Sequence, residues 1–191
     1  MKTINKEIYQ NEFIIKNSKF KTIATNINSK KELEEFLNKY SDLNASHNCY
    51  AYVIYDQKLI GGYYDDHEPK NTAGKPIFSV INKNELVNIV ILVTRYFGGI
   101  KLGASVLSRT YSNAASMILK NIKFLEIKTY YIYQISFDIK NIKLVNHWIN
   151  LNNLEIISKE FNLNVVYKLQ ASSKINEQNF FKIIDLKIIK K

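Results

Sequence analysis

A chain of 191 residues with 46% hydrophobic and 13% aromatic side chains can bury a real core, which excludes a disordered protein. The length admits one domain or two of roughly 95 residues. A net charge of +10 invites a nucleic-acid reading, yet the excess is +5 on each side of Ile122 and Lys, Asn and Ile saturate the whole chain, as an A+T-rich genome would dictate.

Met1 to Phe13 lacks the apolar stretch of a secretory signal, so the chain is expected to stay in the cytoplasm. Glu12 to Ile27 alternates Phe13, Ile15, Phe20 and Ile23 around the polar Lys16-Asn17-Ser18-Lys19, which predicts a hairpin. Ser29 as N-cap and Leu33, Phe36, Leu37 and Tyr40 at helical spacing predict a helix over Lys30 to Tyr40. Ser46 to Tyr55 is aromatic and β-branched and reads as a strand; Gly61-Gly62 and Asp65-Asp66-His67-Glu68-Pro69 then predict a loop. Cys49, the only cysteine, excludes an intrachain disulfide and suits a reducing compartment. Thr72 is the expected cap of a helix running through Ile77, Val80 and Ile81.

Leu86 to Tyr96 reads as a central strand; its apolar run, Ile89 to Val93, is about a quarter of the roughly 20 residues a membrane-spanning helix needs. Phe97 to Gly103 is a glycine loop. Ala104 to Leu119 follows as a helix with Ala104, Leu107, Tyr111, Ala114 and Ile118 on one face and Ser105, Ser108, Arg109, Ser112 and Ser116 on another. These elements make an α/β or α+β domain over residues 1–122. Over 123–191 the pattern spells a ferredoxin-like βαββαβ domain: strand Ile127 to Ile139, helix Lys140 to Asn150, strands Leu154 to Ser158 and Asn162 to Leu169, helix Lys174 to Ile183, strand Leu186 to Ile189. The lone His147 reads as a surface or interface residue of its helix rather than a ligand.

All six glycines, both prolines and both arginines lie between Gly61 and Arg109. In a composition that avoids these residues, the backbone or the chemistry must require them there. Arginine's planar fork grips carboxylate or phosphate with two parallel bonds, which makes Arg95 and Arg109 pointers to an anion. The loop Gly98-Gly99-Ile100-Lys101-Leu102-Gly103 between a buried strand and a helix start can seat a phosphate on exposed amides, or can be a merely structural tight turn. It lacks the Gly-Lys-Ser/Thr ending of a P-loop. Asp65, Asp66, His67 and Glu68 could hold a divalent cation or supply an acid and a base; the plainer alternative is a solvated loop ahead of a helix. His47 and Cys49 share one face of a strand about 7 Å apart, too far for a direct thiolate–imidazole pair.

Ser18-Lys19-Phe20, His47-Asn48-Cys49-Tyr50-Ala51-Tyr52, Asp65-Asp66 with Glu68-Pro69, Thr72-Ala73-Gly74 with Pro76, and Arg95 to Gly103, in that order, resemble the IMPACT/YigZ family. The resemblance implies an N-terminal domain like the second domain of ribosomal protein S-five and domain IV of elongation factor G. It implies a C-terminal domain like domain V of that factor. It further implies nucleic-acid or ribosome binding, with eukaryotic relatives that regulate translation under stress. His67 stands where the family has a glycine, Lys70-Asn71 replaces Ser-Gly, and Ser105-Val106 replaces Gly-Gly; these loops are expected to take altered shapes.

The expectation is therefore a cytoplasmic, non-enzymatic regulator of translation that binds RNA or the ribosome and calls for no cofactor and no membrane. Arg95, Lys101 and Arg109 would contact phosphate on a loop shaped by Gly98, Gly99 and Gly103. Two alternatives stand beside it. One is a metal-assisted hydrolase of a phosphorylated small molecule using His47, Asp65, Asp66 and Glu68. The other is a regulator that binds a translation-control protein. If Arg95 were buried against Asp65 or Asp66, it would be a structural pair instead.

Overall fold

The computed structural model describes residues 1–56 and 58–190. Two compact units divide the chain, Met1–Glu126 and Ile127–Lys191.

The first unit runs β1 (Lys2–Thr3), β2 (Tyr9–Ile15), β3 (Ser18–Asn26), α1 (Lys30–Tyr40), β4 (His47–Asp56), β5 (Lys58–Tyr64), α2 (Gly74–Lys83), β6 (Ile89–Tyr96), α3 (Ala104–Leu119) and β7 (Leu125–Glu126). Strands β2-β3-β6-β4-β5 form one antiparallel sheet, and β1 pairs with β7. The β2–β3 hairpin turns on Lys16 and Asn17, both at positive φ, the geometry of a tight hairpin turn.

Helix α1 covers one face, where Leu33 and Phe36 pack on Ile23, Tyr52, Val90 and Leu92. Helices α2 and α3 cover the other, as Phe78 against Tyr63 and Tyr111 against Phe20 show. Because β6 is buried on both faces, its sequence is continuously apolar until Thr94. The two-residue period sends Ile89, Ile91, Val93 and finally Arg95 toward the α3 face. Register then sets Phe20 of β3 and His47 of β4 beside Arg95.

Two expectations for this unit are corrected. Gly61 and Gly62 sit inside a strand, β5, paired with Val53 and Tyr52 of β4. Thr72 does not cap α2: its hydroxyl donates to the Pro69 carbonyl at 2.6 Å. The first helical turn instead meets the Asp65 carboxylate, whose Oδ1 accepts the amides of Ala73 at 3.0 Å and Gly74 at 2.8 Å. A carboxylate brought back by the loop thus does the work of a local cap.

The second unit contains β8 (Thr129–Phe137), a short 3-10 turn (Ile139–Asn141), α4 (Ile142–Leu151), β9 (Glu155–Phe161), β10 (Val165–Ala171) and β11 (Lys182–Lys190). The antiparallel order β11-β8-β10-β9 is that of the expected split βαβ sheet. The predicted helix over Lys174 to Ile183 does not form. Its first part is irregular, and from Lys182 the chain is strand, paired along β8 from Ser136 to Thr129. Tyr133, Ile135, Phe137, Val145, Ile149, Tyr167, Leu169 and Phe181 make this unit's own core.

Candidate functional site

The residues singled out in the sequence converge where β6 ends and α3 begins. Arg95 is buried, 4% exposed, and its Nη1 donates to Glu68 Oε1 at 2.6 Å. The Tyr111 hydroxyl donates to the same oxygen at 2.9 Å, and the Arg95 guanidinium lies 5.5 Å from the ring centroids of both Phe20 and Phe97. Arg95 is therefore half of an internal ion pair, with Glu68 rather than Asp65 or Asp66, and its fork is not free to receive a phosphate from solvent. Buried charges must be paired in this way, because an isolated one is strongly disfavoured.

Cys49 sits below this pair on β4, fully buried, its thiol 2.9 Å from the Asp65 carbonyl oxygen and 3.5 Å from the Tyr111 hydroxyl. Burial pushes the thiol well above its ordinary range, and burial does the same to the Tyr111 phenol. A thiol held protonated is a poor nucleophile.

The acidic loop is committed inward. Asp65 accepts the amides of Asn71, Ala73 and Gly74, and Asp66 Oδ2 accepts the Asn48 amide at 2.5 Å. Asp66, His67 and Asn71 all take positive φ, so the positions where the family resemblance implied glycine keep a left-handed backbone at His67 and Asn71. Ser105 and Val106 fall within the first turn of α3. These carboxylates organise a loop that ends in α2; they do not converge as a ligand set for a cation.

His47 reaches into the same region. Its Nδ1 lies 2.8 Å from the Asp66 carbonyl oxygen. A carbonyl only accepts, so Nδ1 carries a proton and donates it to that oxygen. Nε2 stands 3.8 Å from Glu68 Oε1, beyond hydrogen-bond range.

The glycine loop closes the arrangement. The Gly98 amide donates to Ser18 Oγ at 3.2 Å, and a Cβ on Gly98 would fall 2.1 Å from the backbone of Asn17, so the loop lies directly on the β2–β3 turn. Gly99 and Gly103 adopt φ of +85° and +75° with open space around them. Lys101 is exposed on this loop, and Arg109 is exposed in the second turn of α3. The result is an open cleft of about 450 Å³ lined by His47, Glu68, Arg95, Phe97, Lys101 and Gly103 among others, with Leu102 and Leu107 as apolar wall. Arg109 is outside that lining. Tyr111, Ser18 and Phe97 were not foreseen as site residues: Tyr111 sits on an apolar helical stripe, and the other two lie at the edges of their motifs.

Two antiparallel sheets and the helices packed on them define an α+β protein. The Impact N-terminal domain family matches residues 16–119. IMPACT family member YvyE of Bacillus subtilis is 40% identical over 135 residues, 70% of this chain and 62% of that protein. An IMPACT family member of Haemophilus influenzae is 34% identical over 168 residues, 85% of this chain and 81% of its own. A crystal structure of a hypothetical protein shares the fold, with a TM-score of 0.62 and 23% identity over 88% of this chain and 84% of that one. The chain belongs to the IMPACT family. Among the described residues no helix is long and apolar enough to cross a membrane.

Proposed function

We propose that this protein regulates translation in the cytoplasm, without catalysing a reaction, by associating with structured RNA or the ribosome through the loop and helix from Gly98 to Arg109. The observation that carries this reading is a pair of exposed cations, Lys101 and Arg109, that form no ion pair among the described residues. Lys101 and Arg109 are exposed, and α3 starts with no acidic residue in its first turn and no side-chain cap. On the same helix Ser105 offers an exposed hydroxyl, and Ser108 and Ser112 are half-buried. Cations, hydroxyls and free amides are the groups that position a protein on a phosphate backbone. The translation link rests on family likeness. The inward commitment of Asp65, Asp66 and Glu68 weighs against the metal-assisted hydrolase.

Filter binding of the full chain to structured RNA across salt concentrations tests the proposal. The double variant Lys101→Ala with Arg109→Ala is expected to bind about tenfold more weakly and to flatten the log–log salt slope by about two. Both side chains are exposed, so the fold is kept. Absent or salt-independent binding, or a slope unchanged in the double variant, overturns it.

A further inference from the structure

Each of the two larger sheets ends in two edge strands, and an edge leaves a row of amides and carbonyls ready to pair with another chain. The edge at β11 combines apolar exposure with both signs of charge. The strand is bulged between Ile183 and Asp185, and from there it follows β8 in regular register to Lys190. Along it Ile184, Leu186 and Ile188 are 55%, 44% and 53% exposed. Asp185 and Lys187, exposed as well, stand opposite Gln134 and Ile132 of β8, so their side chains share one face of the sheet. Neither forms an ion pair among the described residues.

We infer that β11 pairs antiparallel with β11 of a second copy of this chain, about a two-fold axis at Leu186, and joins two four-stranded sheets into one. That register sets Asp185 of each copy opposite Lys187 of the other, Leu186 opposite its own counterpart, and Ile188 opposite Ile184. Opposite charges directly across a ladder stabilise it, and like charges there destabilise it. Moving the axis by one residue sets Lys187 against Lys187 or Asp185 against Asp185, so charge selects the register. The other three edges lack this property. The only charged residue of β2 is Glu12 and that of β5 is Lys58, so neither can pair opposite charges with its own copy. Strand β9 is bulged at Ile157, and Glu155 and Lys159 stand opposite Gln170 and Tyr167 of β10, which places them on different faces. A two-fold contact closes on itself, so the assembly stops at two chains. The ladder from Ile184 to Ile188 is short beside a permanent interface, which puts dissociation in the micromolar range. It draws on neither Lys101 nor Arg109 and stands apart from RNA binding.

Sedimentation equilibrium of the full chain over a concentration series tests the pairing, with Asp185→Lys and the swapped variant Asp185→Lys with Lys187→Asp alongside. The natural chain is expected to pass from the 22.3 kDa monomer to twice that mass and no further. Asp185→Lys sets lysine against lysine and should weaken the dimer about tenfold; the swapped variant restores opposite charges and should return to within about twofold of the natural chain. Both positions are exposed, so unchanged melting curves are expected for both variants. Amide hydrogen exchange from Ile184 to Ile188 should slow as the dimer fills. A chain that stays monomeric, growth beyond two copies, a dimer indifferent to Asp185→Lys, a swapped variant as weak as the single one, or amides at Ile184 to Ile188 that ignore concentration overturns the inference.

Discussion

Deleting one member of the Glu68–Arg95 pair would strand the other charge, because the two side chains are only 3% and 5% exposed. Arg95→Ala is accordingly expected to cost about 3–5 kcal/mol in urea unfolding, and a loss under about 1 kcal/mol would mean that solvent screens the pair. That cost is why Lys101 and Arg109, and not Arg95, are the residues on which to test anion binding. Cys49 contributes at the opposite end of the pH scale. Its burial raises the folded thiol's pKa well above the unfolded value of about 8.5, so the folded state keeps its proton while the unfolded chain loses it. Stability from this group is therefore full below about pH 8.5 and declines above it, by up to about 1.4 kcal/mol per pH unit. Chemical denaturation at pH 8 and pH 9.5 should show that decline in the natural chain and a smaller one in Cys49→Ala. Equal declines would mean that another group titrates, although the buried Tyr111 phenol, shifted the same way, starts to act only above about pH 10.

At the scale of elements, local signals were readable where one element satisfied itself. Ser29 accepts the Glu32 amide and α1 spans Lys30–Tyr40 as its spacing requires; α3 likewise begins directly after Gly103. What escaped the sequence was decided by a distant partner. Gly61 and Gly62 look like breakers, yet they lie in β5 because a Cβ would press to 2.9 Å from the Phe78 ring and 2.8 Å from the Tyr52 hydroxyl. Their smallness serves packing, which composition alone does not distinguish from turning. Lys174 to Ile183 reads as a helix, but β8 offers a full-length edge, and from Lys182 pairing along it prevails over local preference. The candidate site divides the same way. Rare arginine and glycine marked Arg95 and the loop. The identity of the partner, Glu68 at 27 residues' distance, and the shared oxygen reached by Tyr111 depend on register across three strands and a helix.

For the whole molecule the question is whether +10 acts as a diffuse charge or through one place. The charge is evenly shared: Met1–Glu126 carries 17 basic against 12 acidic residues and the remainder ten against five, so each unit is at +5. A diffuse mechanism would therefore draw equally on both units, and separating them would halve the salt dependence. A local mechanism would leave nearly all of it with the unit that holds Lys101 and Arg109. That unit has its own buried sheet and helices, and β1 pairing with β7 ties its two ends together. Residues 1–126 alone are expected to melt cooperatively and to bind structured RNA with a salt slope near that of the full chain. The double variant Lys101→Ala with Arg109→Ala should lower that slope by about two in the fragment as well. Circular dichroism melting and filter binding of the fragment decide it: a fragment without a cooperative transition shows that the unit needs the rest of the chain. A folded fragment with half the slope shows that the charge acts diffusely, and the site would then lose its electrostatic rationale.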